Sequence, residues 1–105
     1  MDGHTEALWV KMRDNPTPEE VRQAMLDFDP GLDDLPTSPK KALIVKDEPD
    51  RPQPRLDRMR GNGMSVSVGR IRSGIRFICM GHNTVRGAAG ASILNAELLV
   101  KKGLL

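Results

Sequence analysis

The sequence predicts an α+β fold, a mostly antiparallel sheet with helices packed against one face. Three observations support this class: short segments in which apolar and polar residues alternate, one helix with a recognisable start, and a final helix that begins with small residues. The predicted order is strand, helix, strand, strand, strand, helix, which suits a sheet with its helices segregated to one side. A chain of 105 residues is one domain with a modest core.

The first strand and the first helix lie near the N terminus. Alternation from Glu6 to Met12 indicates a strand with one apolar side. Thr17 can cap the helix, Pro18 fits its first turn, and Glu20 can close a capping box. The next apolar positions recur at helical spacing and are expected to pack inward as core. They are Val21, Ala24, Met25 and Phe28.

The middle of the chain alternates between connections and strands. The segment 29–41 contains three prolines and a glycine, which is typical of a surface connection. The continuous apolar run 42–45 suits a strand that is covered on both faces. From Pro49 to Gly63 the prolines predict an extended arm whose charges form surface ion pairs of little energetic value. The expected pairs join Arg51, Arg55, Arg58 and Arg60 to Asp47, Glu48, Asp50 and Asp57.

The last third predicts a hairpin followed by a helix. The triplet Gly61-Asn62-Gly63 lacks the lysine of a phosphate loop, so we interpret it as a flexible turn. Alternation in 64–68 predicts a strand, and Ser73-Gly74 predicts a tight turn into an antiparallel strand over 75–80.

The final helix is expected to begin at Asn83 or Thr84, either of which can act as its cap. Its first turns have almost no side-chain bulk. They leave room either for tight packing against a neighbouring domain or for a flat ring. Ile93, Leu94 and Leu98 continue an apolar face, and Lys101-Lys102-Gly103 closes the helix.

Charge and composition exclude several classes of function. The sixteen basic residues are interleaved with fourteen acidic ones for a net charge of +2, and the basic segment 51–60 has no aromatic residue, which weighs against nucleic-acid binding. A single cysteine permits no internal disulfide. No apolar run approaches the roughly twenty residues of a membrane span, and no signal peptide is recognised. The expected compartment is the cytoplasm.

His4 is the first candidate for chemistry. Histidine can take and return a proton near neutral pH, and the preceding Gly3 allows a sharp turn, while Thr5 and Glu6 offer hydrogen bonds to the ring. A histidine this close to a terminus is also often solvated and idle. Cys79 lies in an apolar strand, an environment that raises a thiol pKa, so we do not expect it to be a nucleophile. Cys79, His4 and His82 match no zinc pattern, and no metal is predicted.

Four segments, in this order, resemble the C-terminal part of aspartate-semialdehyde dehydrogenase, and more narrowly its archaeal and fungal branch. They are 2–6, 51–58, 63–70 and 81–98. The resemblance implies that His4 is the general base. It also implies that the nucleophilic cysteine and the arginine that binds the substrate carboxylate precede Met1. We therefore expect a C-terminal fragment that is inactive by itself.

The resemblance also implies an activity, a cofactor and partners. The expected reaction is the NADP-dependent conversion of aspartyl phosphate to aspartate semialdehyde, in the synthesis of lysine, methionine and threonine. The nicotinamide side of the cofactor would be contacted by Asn83, Thr84 and Gly87. The arm from Pro49 to Gly63 would lie near the subunit contacts. Residues 1–82 would belong to a substrate-binding and dimerisation domain of the glyceraldehyde-3-phosphate dehydrogenase type, and 83–105 would return to the dinucleotide-binding domain.

Two alternatives to this function stay open. A malonyl-CoA reductase shares the family and would differ in residues upstream of this chain. A non-catalytic fragment would retain only the dimer-forming sheet. In each case the expected partners are further copies in a dimer or tetramer, or the missing N-terminal part of the enzyme.

Overall fold

The structure is a computed structural model that describes residues 2–105. Its strands are β1 (His4–Trp9), β2 (Leu43–Lys46), β3 (Val66–Arg72) and β4 (Arg76–Gly81). They form one sheet in the order β1-β4-β3-β2, in which β4 pairs antiparallel with β1 and β3, and β2 pairs parallel with β3. The helices are α1 (Pro18–Asp27), the single turn α2 (Pro54–Asp57) and α3 (Gly90–Lys101). The predicted α+β class with a mostly antiparallel sheet is confirmed.

The range of β1 differs from the prediction. The strand begins at His4 and ends at Trp9, instead of running from Glu6 to Met12. Its partner sets both limits, because His4 lies opposite Gly81, at the end of β4, and Trp9 lies opposite Arg76, at its start. Pairing with a neighbour fixes where an edge strand starts and stops, and the alternation of its own residues does not contain that information.

Helix α1 begins as predicted. The Glu20 amide donates to Thr17 Oγ1 at 3.2 Å and the Thr17 amide donates to Glu20 Oε2 at 3.1 Å, which completes the capping box. The expected packing is only partly present. Phe28 is 51% exposed and is not a core residue. It lines, with Val21, Ala24 and Met25, a groove of about 470 Å³ between α1 and the sheet.

Strand β2 was expected to be covered on both faces, which is wrong. It lies at an edge of the sheet, and all four of its residues are half-buried. Asp47 directly follows it and accepts two hydrogen bonds from Arg22 of α1, each of 2.8 Å. This exposed ion pair ties the helix to the end of the edge strand.

The hairpin of β3 and β4 is confirmed. Gly69 lies opposite Ile78 and Arg72 lies opposite Arg76, with a shift of register between these pairs. The strand starts at Val66, later than predicted, because Met64 leaves the sheet and joins the hydrophobic cluster instead. That cluster consists of the buried Leu35, Met64 and Leu94, with Leu32, Val85 and Leu98 packed around it.

Helix α3 packs by one side only. Leu94 is buried and Leu98 adjoins the cluster, as expected, but Ile93 is 52% exposed and does not belong to the packed side. The helix ends as predicted: Gly103 has a φ of 71° and its amide donates to the Val100 carbonyl at 3.0 Å.

The arm from Pro49 to Gly63 is not extended throughout, and two of its expected pairs, Arg51–Asp57 and Arg60–Asp57, form at a buried carboxylate and not at the surface. It contains α2, and Asp57 at the end of that turn has a fully buried side chain. Arg51 donates to both carboxylate oxygens at 2.5 and 2.8 Å, Arg60 donates at 2.7 Å, and the Gln53 amide donates at 2.8 Å. These donors, the Arg51 guanidinium above all, hold the pKa of Asp57 well below its usual range.

The turn Gly61 to Gly63, at the end of the arm, is tightly packed, contrary to the flexible turn that was expected. Gly61 and Asn62 both have left-handed backbone, with φ of 59° and 57°. A Cβ on Gly61 would collide with Ser65 Oγ and would lie 2.8 Å from Pro39 Cβ. Glycine is therefore required at position 61 by both its conformation and its surroundings.

The two faces of the sheet are covered by different parts of the chain. The strand register assigns Leu43 and Phe77 to one face, where they line the groove beneath α1. It assigns Gly69 and Met80 to the other face. The arm crosses that second face, because a Cβ on Gly69 would collide with the Arg51 carbonyl oxygen.

Candidate functional site

Three segments that are distant in the sequence meet at Gly3. Its amide donates to Asn83 Oδ1 at 2.8 Å, across 80 residues of sequence. On its other side, a Cβ at position 3 would lie 2.6 Å from Pro54 Cβ, and the φ of 132° also favours glycine. The start of β1, the arm and the turn after β4 are therefore joined at one corner of the sheet. Three of the segments that carry the resemblance, 2–6, 51–58 and 81–98, contribute to it.

His4 directly follows this junction. It is the first residue of β1, it lies opposite Gly81 of β4, and its side chain is exposed. Within residues 2–105 no hydrogen bond fixes its ring, so the expectation that Thr5 and Glu6 orient it is not met. Strand alternation explains why Thr5 does not reach the ring: it points to the opposite face. The imidazole is thus free to meet a group from outside the described chain.

His82 has a role that sequence reasoning missed. Its side chain is buried, and its Nδ1 accepts from the Thr84 and Val85 amides, each at 3.3 Å. The ring therefore caps the helical segment that follows. Thr84 occupies the N-cap position, as one of the two expected residues, but its side chain makes no capping hydrogen bond, and the Asn83 side chain turns back to Gly3. A histidine just before a helix start was the only available signal, and histidine is not a preferred capping residue.

The first helical turn after this cap is wide. Residues 85–89 form a π-helical segment, in which the Gly87 amide donates to the His82 carbonyl at 3.0 Å. Gly87 is exposed, and a Cβ there would meet only that carbonyl oxygen, at an ordinary 3.6 Å. Gly90 differs, since a Cβ there would collide with Met64 Sδ. Packing within the chain requires glycine at 90 but not at 87.

Cys79 is placed as the sequence suggested. It is half-buried on β4, and burial raises the pKa of its thiol, with a further contribution from Glu6 on the facing strand. The thiolate is therefore disfavoured. Among residues 2–105 no group of three acidic, histidine or cysteine side chains is arranged to hold a metal ion. No helix in the same range is both long and apolar enough to cross a membrane.

Comparison with known proteins identifies the class of this domain. The profile of the family described as "Semialdehyde dehydrogenase, dimerisation domain" matches residues 1–86, and the chain belongs to that family. Its relatives are more specific. It is 58% identical over its full length to an aspartate-semialdehyde dehydrogenase of Archaeoglobus fulgidus, covering 31% of that protein. It is 50% identical over its full length to the Schizosaccharomyces pombe enzyme of the same name, covering 32%.

A solved structure agrees with these relatives. All of the chain superposes on 32% of the aspartate-semialdehyde dehydrogenase from Candida albicans, a crystal structure with NADP, with a TM-score of 0.84 and 43% identity. The resemblance to the C-terminal part of the archaeal and fungal enzymes is therefore confirmed. The chain spans about a third of the length of the curated relatives that it matches.

Proposed function

We propose that this chain forms the C-terminal part of an NADP-dependent aspartate-semialdehyde dehydrogenase and supplies its general base, His4. One observation carries the proposal: the Gly3–Asn83 hydrogen bond joins the residue before the base to the turn expected to face the nicotinamide. The similarity of the whole chain to enzymes of this name supports the same reading. In the reaction, aspartyl phosphate, NADPH and a proton give aspartate semialdehyde, phosphate and NADP⁺.

His4 would move the protons of this reaction. Its exposed imidazole can accept the proton of a nucleophilic thiol supplied by the rest of the enzyme, and it can return a proton as the product forms. Cys79 is not that thiol, because burial disfavours its ionised form. The base therefore lies in this chain, and the nucleophile lies outside the described residues.

The residues of the turn fit the nicotinamide end of NADP, which would supply or accept the hydride. Asn83 Oδ1 accepts from the Gly3 amide, and its Nδ2 can donate to a carboxamide oxygen. Gly87 is exposed without a packing reason to be glycine, and Thr84 is exposed beside it. We assign Asn83, Thr84 and Gly87 to this contact.

The proposal includes an assembly and a place in the cell. Residues 1–82 would form the sheet through which copies pair as a dimer or tetramer, consistent with the family's description as a dimerisation domain. Residues 83–105 would contact the dinucleotide-binding part of the enzyme, for which the exposed Ile93 provides apolar surface. The compartment would be the cytoplasm.

A chimaera tests the catalytic role. The chain would replace the matching third of the Archaeoglobus fulgidus enzyme, and NADPH formation from aspartate semialdehyde and phosphate would be measured. His4→Ala is expected to lower turnover by about 10² to 10⁴, the usual contribution of a positioned acid or base. Thr5→Ala, on the opposite face of the same strand, is the control and should keep normal turnover. Full turnover of His4→Ala in the chimaera would refute the assignment.

The isolated chain provides the second test. We expect no NADPH formation by the 105-residue chain alone, since Cys79 is a poor nucleophile. Activity of the purified chain that Cys79→Ala abolishes would contradict this expectation. An inactive chain that still forms a stable dimer would agree with the role of a dimerisation domain.

A further inference from the structure

We propose that Asn83 is a positioning residue for His4 in addition to contacting the cofactor. Its side-chain oxygen would hold the Gly3 peptide and thereby the backbone from which the base projects. This inference rests on the proposed function, because it assumes that His4 is the base. It goes beyond that function by coupling the cofactor side of the site to the position of the base through one side chain.

Gly3 is held from two directions. Its amide donates to Asn83 Oδ1 at 2.8 Å, and Pro54 occupies the space where any Cβ at position 3 would lie. His4 is the next residue, and beyond it the strand is held by pairing with β4. The Cα of His4 is therefore located between a paired strand on one side and this hydrogen bond on the other. Because β1 is an edge strand, no second strand of the sheet holds its start.

Asn83 is itself fixed by its neighbour. The Nδ1 of the buried His82 ring accepts from the Thr84 and Val85 amides, each at 3.3 Å, which holds the turn at its base. A locked turn aims the Asn83 amide in one direction. The hydrogen bond to Gly3 then assigns the orientation of that amide: Oδ1 faces β1, and Nδ2 is the donor that faces away.

The two ends of this amide consequently have separable roles. An aspartate at position 83 keeps an acceptor for the Gly3 amide but has no donor for a carboxamide oxygen. An alanine has neither. If the oxygen positions His4, these two substitutions must differ in their effect on turnover, whereas both must weaken cofactor binding.

Hydrogen exchange of the 105-residue chain tests the contact directly. The exchange rate of the Gly3 amide would be measured by NMR for the wild type, Asn83→Ala, Asn83→Asp and the control Asn95→Ala, whose residue is exposed on α3. We expect Asn83→Ala to accelerate exchange at Gly3 by about tenfold or more, and the other two variants to leave it protected. Should Asn83→Ala not fold, Asn83→Ser, whose hydroxyl is too short to reach, replaces it. An unchanged Gly3 rate in the folded Ala or Ser variant would overturn the proposal.

Kinetics of the chimaera test the consequence. We expect Asn83→Ala to lower kcat by about 10- to 100-fold and to raise the KM for NADP, because a small displacement of a catalytic group is costly. Asn83→Asp should raise that KM to a similar extent. Its kcat should stay about tenfold higher than the kcat of Asn83→Ala. Equal losses of kcat would overturn the positioning role. If His4→Ala leaves turnover intact, the proposed function fails instead, and the exchange result at Gly3 is unaffected by that outcome.

Discussion

The two faces of the sheet are covered in different ways. On the face that the arm crosses, Met80 is 1% exposed and the carboxylate of the covering arm, Asp57, is fully buried among four donated hydrogen bonds. On the face beneath α1, a groove of about 470 Å³ stays open, and no residue of 18–27 is fully buried. Its rim includes Met12, which is 61% exposed.

This difference shows that residue type alone does not decide which segment is packed. The arm is rich in charge yet buries Asp57, because two arginines and the Gln53 amide bring donors to that single carboxylate. Helix α1 has an apolar stripe and a complete cap, yet it covers the sheet loosely. We therefore expect the stability of the chain to depend more on the arm than on α1.

The largest effect should come from Asp57→Asn. The substitution leaves two guanidinium groups beside a neutral amide, and breaking a buried charge pair costs about 3–5 kcal/mol. The measurement is the free energy of unfolding by denaturant titration. Asp14→Asn, an exposed aspartate in the connection before α1, is the control and should stay within about 0.5 kcal/mol. If Asp57→Asn lowers the free energy of unfolding no more than Asp14→Asn does, the buried ion pairs of the arm do not stabilise the fold.

Paired truncations of methionine compare the two faces directly. Met80→Ala removes a fully buried side chain beneath the arm and should cost about 2–5 kcal/mol. Met12→Ala, at the groove, should cost no more than about 1 kcal/mol, since most of that side chain is already in water. The same unfolding assay measures both. Equal losses would mean that the groove is closed in solution, for example by a second copy of the chain.

As the pH falls, the contribution of the arm to stability should decrease more than the contribution of α1. Because folding depresses the pKa of Asp57, its contribution to stability is fully present above the unfolded value of about 3.9 and is lost as the pH falls toward the lower folded value. Denaturant titrations between pH 7 and pH 2 should therefore show a decline that is reduced in Asp57→Asn. The exposed Arg22–Asp47 pair contributes little to it. A decline of the same size in both proteins would exclude Asp57 as its main source.

The smallest expected effect concerns the cap of α1. Thr17→Ala removes the side-chain acceptor for the Glu20 amide and should cost about 1 kcal/mol. Thr17→Ser keeps the hydroxyl and is the matched control. Since α1 is loosely packed, the loss should appear as local unfolding, seen by faster amide exchange in the helix without faster exchange in β3 and β4. Equal acceleration in the sheet would show that α1 and the sheet unfold together.

What the sequence determined by itself is local. The capping box of Thr17 and Glu20, the hairpin turn at Ser73-Gly74 and the end of α3 at Gly103 were all predicted correctly. Each depends on atoms within a few residues of one another, and such contacts are encoded by spacing. The family motifs were likewise readable, because they are short runs of residues in a fixed order.

What only the tertiary structure decided are contacts between distant segments. The partner of Asn83 Oδ1 is Gly3, 80 residues away, a contact that neither of the roles predicted for its side chain, capping and cofactor binding, includes. The burial of Asp57 depends on how the arm folds back over the sheet, and the limits of β1 depend on the length of β4. Spacing along the chain does not specify such contacts, because the free energy that selects them comes from packing and hydrogen bonds formed only when the whole sheet is assembled.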